Sequence, residues 1–311
     1  MSDAMPAFEV LPRDLSAYRK GNTGVDYVHR FDSGRPGPHV LVNALTHGNE
    51  FCGMTAVTHL LDSGVRPRRG VLTLSFANVA AYESFDIAKP FDSRQLVHNL
   101  NRIWSPQLLD GSDDSPELRR ARELRPVVDA ADHVLDLHST NADVTPFWVY
   151  RAFERNTQVA LAIGRPSVHF VMPGGLGSGT PLIEYGRFAD ASGGGVAMVA
   201  ECGQHFSRAC SDLATAAALD FVAHFGLIDA PASAPREPQR RLELLRTCMI
   251  RTPEFRFTQP VKGYEVYAKD ELIATDGDEE IRAPCDDCTI FMPARRAIVG
   301  REGVYLTRPL P

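Results

Sequence analysis

The sequence predicts an α/β protein, with a mixed, mostly parallel sheet flanked by helices and a small C-terminal all-β domain. Three observations carry that prediction. Residues 40–45, 71–77, 195–200 and the stretch leading to His138 are short runs, apolar on both alternating sets, as strands buried on both faces must be. Residues 51–62, between the first two runs, carry Met54, Val57, Leu60 and Leu61 at helical spacing, and strand–helix–strand order implies a right-handed crossover. From Leu242 onward the pattern changes to short strands separated by turns.

In chain order, residues 8–31 read as edge strands, with alternation clearest over 27–31, and residues 32–38 form a Gly/Pro turn. The strand 40–45 and the helix 51–62 follow, the helix ended by Ser63-Gly64. After the strand 71–77, residues 78–116 form a long connection of little periodicity, the kind that in a compact domain usually serves function. A helix over 116–131 leads into the strand that ends at His138. Residues 147–150 read as a strand and 153–163 as a helix. The glycine-rich stretch 173–179 lacks the Gly-Lys-Ser/Thr of a phosphate loop and reads as a turn. The strand 195–200 should deliver Glu201 at its tip, and a helix over 212–225 closes the first domain. Residues 228–236, rich in alanine and proline, mark the expected boundary between domains 1–230 and 237–311.

Composition is that of an ordinary globular protein, 44% hydrophobic and 23% charged, which sets aside disordered and fibrous classes. A net charge of -6 without a Lys/Arg run argues against a nucleic-acid partner. No apolar run reaches about 18 residues, so no membrane-spanning helix is expected. The N-terminus lacks the pattern of a signal peptide, and six scattered cysteines read as reduced thiols. The expected compartment is the cytoplasm. Cys285-Asp-Asp-Cys288 has no second pair to complete a metal site and reads as two thiols flanking a turn.

Two strand ends carry the chemistry. The first ends in His47-Gly48-Asn49-Glu50, where an imidazole and a carboxylate three residues apart can converge on one ion across a tight turn. Many surface loops hold such a pair by chance. The second stretch, Asp136-Leu-His138, adds a distant histidine, and catalytic zinc characteristically takes three protein ligands and keeps a fourth position open. Asp136 shares a strand face with His138, as a carboxylate orienting a ligand imidazole would, or as an ordinary buried strand acid.

Four pieces taken together, His47-Gly-Asn-Glu50, Asn99-Leu-Asn101-Arg102, Asp136-Leu-His138-Ser-Thr and Glu201-Cys-Gly203, resemble the succinylglutamate desuccinylase/aspartoacylase family, a branch of the zinc carboxypeptidase superfamily. They run in the family's order over roughly residues 40–205. The resemblance implies one zinc ion per chain on His47, Glu50 and His138, with Glu201 as general base and Arg94 polarising the scissile carbonyl. It implies that Asn101 and Arg102 hold a substrate carboxylate, with Arg187 a further substrate contact. His98, Trp104 and His205 read as packing or loop residues. Where the family commonly has Asp-Leu-Asn-Arg, this chain has Asn99, which removes a charge and with it an anchor for the loop.

The chemistry of the residues agrees. Amide hydrolysis needs an activated water, a carboxylate to move its proton, and positive charge on the developing oxyanion. A guanidinium forks onto a carboxylate in a way a lysine does not. The expected activity is removal of the acyl group from a small N-acyl amino acid, by a chain that leaves room for a homo-oligomer. Two other readings are a carboxypeptidase acting on small peptides and a zinc-binding protein without catalysis. Retention of Glu201 separates the last from an enzyme.

Overall fold

The structure is a computed structural model and describes residues 7–175, 178–230 and 237–311. In chain order its elements are β1 (Val28–Asp32), β2 (His39–Ala44), α1 (Phe51–Asp62), β3 (Val71–Phe76), α2 (Val79–Glu83), α3 (Pro106–Leu109), α4 (Pro116–Ala130), β4 (His133–Thr140), β5 (Phe147–Arg151), α5 (Glu154–Ile163), β6 (Val168–Met172), β7 (Val196–Gln204) and α6 (Arg208–His224). There follow β8 (Arg240–Met249), β9 (Arg256–Phe257), β10 (Val266–Tyr267), β11 (Leu272–Asp276), β12 (Glu279–Arg282), β13 (Cys288–Phe291) and β14 (Glu302–Leu310).

One 11-stranded sheet runs β1-β3-β2-β4-β7-β5-β6-β8-β14-β13-β10, and a second sheet holds β12-β11-β9. The central β3-β2-β4-β7 strands are parallel, as are β5-β6 and β6-β8, while β5 meets β7 antiparallel. The mixed, mostly parallel sheet of the sequence prediction is therefore present. α1 and α6 cover one face, their Phe51, Leu60, Phe221 and Val222 packing on Val42, Leu74 and Leu135. α4 and the 78–116 connection cover the other through Leu118, Leu124 and Trp104. The C-terminal strands have a core of their own, around Ile250, Ile273, Ile290 and Leu306. They are nonetheless bonded to the main sheet, because β8 pairs with β6 from Arg240 to Glu243.

Some expectations were displaced. Of residues 8–31, only β1 is a strand; Ser16–Tyr18 form a 3-10 turn held by Asp14, which accepts from the Ser16 N–H and hydroxyl. β6 was not expected. Glu201 lies inside β7 and not at its tip. Part of the glycine-rich stretch (residues 176 and 177) and part of the boundary segment (231–236) lie outside the described residues.

Register sets up the site. Asn43 on β2 stands beside Asp136 on β4, and His138 on β4 beside Glu201 on β7. Just past that pair the ladder shifts, so that Thr140 faces Gln204. The extra residue on β7 bulges the strand, and Gly203 takes the φ of +112° that this requires.

Candidate active site

His47 is carried by the turn that leaves β2. Leu45 exits the strand at φ 58°, a left-handed conformation that bulky side chains rarely adopt, and reverses the chain. Gly48 then passes so close to α2 and its neighbourhood that a Cβ would stand 2.4 Å from backbone atoms of Ala81, Tyr82 and Ser93. Its N–H donates to the Arg94 carbonyl at 3.1 Å, tying the turn to the segment that bears Arg94. Glu50 stands at the N-cap position of α1, but its side chain makes no capping bond and points back at His47.

The three expected ligands meet. His47 Nδ1 lies 2.8 Å from Glu50 Oε1, and His138 Nδ1 lies 3.0 Å from Glu50 Oε2. One ligand atom from each residue falls within 4.8 Å of the others, and all three residues are buried. The outer nitrogens are held as well. His138 Nε2 meets Asp136 Oδ2 at 2.8 Å, while Asp136 Oδ1 accepts from Asn43 Nδ2 and Thr46 Oγ1. His47 Nε2 meets Asn99 Oδ1 at 2.9 Å, and the same oxygen accepts the Asn101 N–H. That second bond orients the Asn99 amide, so His47 Nε2 must donate and its Nδ1 in the neutral ring is a bare lone pair aimed at a carboxylate. At His47 an acceptor thus faces an acceptor in a buried site, an arrangement that a cation between them would satisfy. Two imidazole nitrogens and a carboxylate suit a divalent metal, zinc among them. The residues fit, and the group can hold a metal ion.

Electrostatics follow from burial and from these partners. Burial, helped by the charge of Arg94, pushes His47 down to about 4. For Glu50, burial alone would raise the carboxyl, but His47 and His138 hold it well below the ordinary value. At His138 burial is likewise outweighed, here by Asp136 and Glu50, and the ring is held well above its usual range. Burial pushes Glu201 up to about 8, against the opposing charges of His138 and Arg94. Its Oε2 is buried with no hydrogen-bond partner.

The other expected residues divide. Arg94 Nη1 donates to Glu50 Oε1 at 3.1 Å and lines the pocket. Asn101 and Arg102 line it too: Asn101 spends its Oδ1 on the Leu182 N–H, and Arg102 is braced by Ser178 Oγ and the Asn101 carbonyl. Arg187 is the correction. Its guanidinium lies on Asp132 and the Asp129 carbonyl, away from the pocket, because the chain turns at Gly186 after Tyr185 is pinned by Arg125. His205 packs behind the site, bonded to Ser139 Oγ at 2.8 Å, while Ser139 N–H donates to Glu50 Oε2. Trp104 is fully buried.

The sequence reading did not find Asn99 as the partner of His47, nor the contribution of the C-terminal strands. Tyr305 of β14 and Met292 line the pocket, and Glu302 stands 3.8 Å from Arg102 Nη2. No local motif marks these residues, because β14 comes to the site from 100 residues beyond β7. The pocket between all these groups holds about 110 Å³.

The central strands of this mixed sheet gather two histidines and a glutamate into a group that can hold a metal ion, and known proteins share the fold. The fold matches that of succinylglutamate desuccinylase from Vibrio cholerae with a TM-score of 0.70 at 17% identity, over 91% of this chain and 85% of that one. A family model described as the succinylglutamate desuccinylase/aspartoacylase catalytic domain matches residues 36–216. The chain belongs to that family. Among curated relatives, the N-acyl-aromatic-L-amino acid amidohydrolase (carboxylate-forming) of Xenopus laevis is 33% identical over 118 residues, 35% of this chain and 36% of that protein. The aspartoacylase of Rattus norvegicus is 34% identical over 110 residues, 32% and 33% of the two chains. The chain thus spans about a third of the length of the curated relatives it matches.

Proposed function

We propose that this chain hydrolyses the amide bond of a small N-acyl amino acid with a free α-carboxylate, holding one zinc ion on His47, Glu50 and His138. The observation that carries this reading is Glu201: a carboxylate oxygen, buried and unpartnered, adjoining the three-residue group across the β4–β7 register. A metal ion seated there would supply Lewis acidity, lowering the pKa of water from about 16 toward about 7. Glu201 Oε2 takes the proton of the attacking water and passes it to the leaving nitrogen. In the metal-free protein burial raises this carboxyl to about 8, and a cation held beside it would lower it toward the range of a base working near neutrality. Arg94 brings positive charge to the carbonyl oxygen as it becomes an oxyanion. Arg102 and the Asn101 amide receive the α-carboxylate by paired hydrogen bonds. The names of the curated relatives, both amide hydrolases acting on acylated amino acids, support the same reaction class.

Glu201→Gln tests it. The variant should bind zinc at the wild-type ratio, measured by elemental analysis, and lose roughly 10²–10⁴-fold in kcat on whichever N-acyl amino acid the wild type cleaves. Equal turnover in the two proteins would remove Glu201 from the mechanism.

A further inference from the structure

Toward β4 the sheet face that carries Glu201 holds His138 and Asp136, but toward β5 and β6 it is apolar as far as the pocket extends. The cross-strand neighbour of Glu201 on β5 is Phe147, and the next row along that face is Val199, Val149 and Phe170 on β7, β5 and β6. Met172 continues the face on β6, and Ile183 closes it from the 3-10 turn Leu182–Glu184. All six line the pocket. Among the described residues, and apart from the histidines of the three-residue group, its cationic lining consists of Arg94, which lies on Glu50, and Arg102. Arg187 is engaged elsewhere, and Arg151 lies against the Pro173 carbonyl and Glu184, outside the lining. Among the described residues, a substrate with one carboxylate on Arg102 therefore finds no second guanidinium free to receive another. A second carboxylate would have to lie desolvated on Phe147, Val149 and Phe170, at a large penalty.

We infer that the substrate is a monocarboxylate carrying an apolar group, seated on the Phe147–Val149–Phe170 face. The inference rests on the hydrolase reading above and narrows it. The apolar group can belong to the amino acid's side chain or to the acyl chain; both present the same hydrocarbon to the same wall.

The test uses zinc-loaded full-length protein with N-acetyl-L-leucine, N-acetyl-L-phenylalanine, N-hexanoylglycine, N-acetyl-L-aspartate and N-succinyl-L-glutamate. The expected result is a kcat/KM at least about 100-fold higher for one of the first three than for either dicarboxylate. Preference for leucine or phenylalanine assigns the wall to the side chain, and preference for hexanoylglycine assigns it to the acyl chain. Equal or better turnover of a dicarboxylate overturns the inference and leaves the hydrolase reading standing. Silence on every compound overturns the hydrolase reading, and thermal shifts then decide: the inference holds only if N-hexanoylglycine or N-acetyl-L-leucine stabilises the protein more than N-acetyl-L-aspartate does. Val149→Arg, at a half-buried position, should move the kcat/KM ratio at least about tenfold toward N-acetyl-L-aspartate. An unchanged ratio in a folded variant counts against Val149 as part of the wall.

Discussion

At His47 the deciding proton is on Nε2, put there by an amide oxygen. Asn99 accepts from His47 and from the Asn101 backbone together, so one neutral side chain fixes the imidazole and begins the loop that bears Arg102. At His138 the same task falls to Asp136, a carboxylate that both raises the ring's basicity and locks its tautomer. Asp136→Asn should weaken zinc binding roughly 10–100-fold, read by competition with a chelator, while the circular dichroism spectrum is unchanged. Glu201 makes a pH prediction for the metal-free protein. Its folded value of about 8 lies above the ordinary 4.5, so between those limits the unfolded chain gives up a proton that the folded chain keeps. Stability is then complete below about pH 4.5 and falls as pH rises toward 8, by at most about 1.4 kcal/mol per unit. Metal-free Glu201→Gln should accordingly match the wild-type melting temperature at pH 4 and exceed it at pH 8; a constant difference across that range contradicts the prediction. The coming together of His47, Glu50 and His138 was legible because each residue ends or follows an apolar run whose direction the pattern gives. Arg187 was suggested by the resemblance alone, and no local pattern shows that its guanidinium meets Asp132 and the Asp129 carbonyl. Asn99 was seen as a lost charge, while its geometry needed the fold.

Among the elements, the turn from β2 into α1 concentrates the constraints. A left-handed Leu45, a glycine pressed on the α2 backbone and a proposed metal ligand at the N-cap position of α1 succeed one another within six residues. Gly48→Ala has no flexible neighbour to push aside, since the three nearest atoms are backbone. It should destabilise the fold by roughly 1–3 kcal/mol and lower the zinc content of purified protein, seen as a reduced melting temperature and a metal ratio below that of the wild type. An alanine variant that keeps both values would show the turn to be softer than its contacts imply. Elements with full periodicity were readable: α1 spans the expected 51–62, and α4 begins at the expected proline. β6 was not, because Val168–Met172 is a five-residue run squeezed between a helix and a glycine-rich stretch, with no alternation to separate it from either. The opposite error over residues 8–27 has a plain cause. Gly21 and Gly24 take positive φ there, and the segment folds against β1 as turns.

Across the whole molecule, the C-terminal strands complete a pocket that the N-terminal strands begin. Glu302 stands 3.8 Å from the guanidinium proposed to receive the substrate's carboxylate, and both side chains are partly shielded from water. A substrate carboxylate placed on Arg102 would compete with this resident one. Glu302→Gln should lower KM a few-fold for substrates held by Arg102 and leave kcat nearly unchanged, the signature of a change in ground-state binding; a raised KM would mean that Glu302 positions Arg102 instead. The fold class was legible from strand patterning, yet the joining of the two halves was not, because the β6–β8 pairing links segments that the sequence separates by a proline-rich stretch. That pairing has a mechanical meaning. The wall of strands and the roof carrying Met292 and Tyr305 belong to one hydrogen-bonded plate, so swinging the roof aside would tear a ladder worth roughly 1 kcal/mol per bond. The width of the pocket on this side is therefore set by strand pairing, the same ladders that join the C-terminal strands to the main sheet.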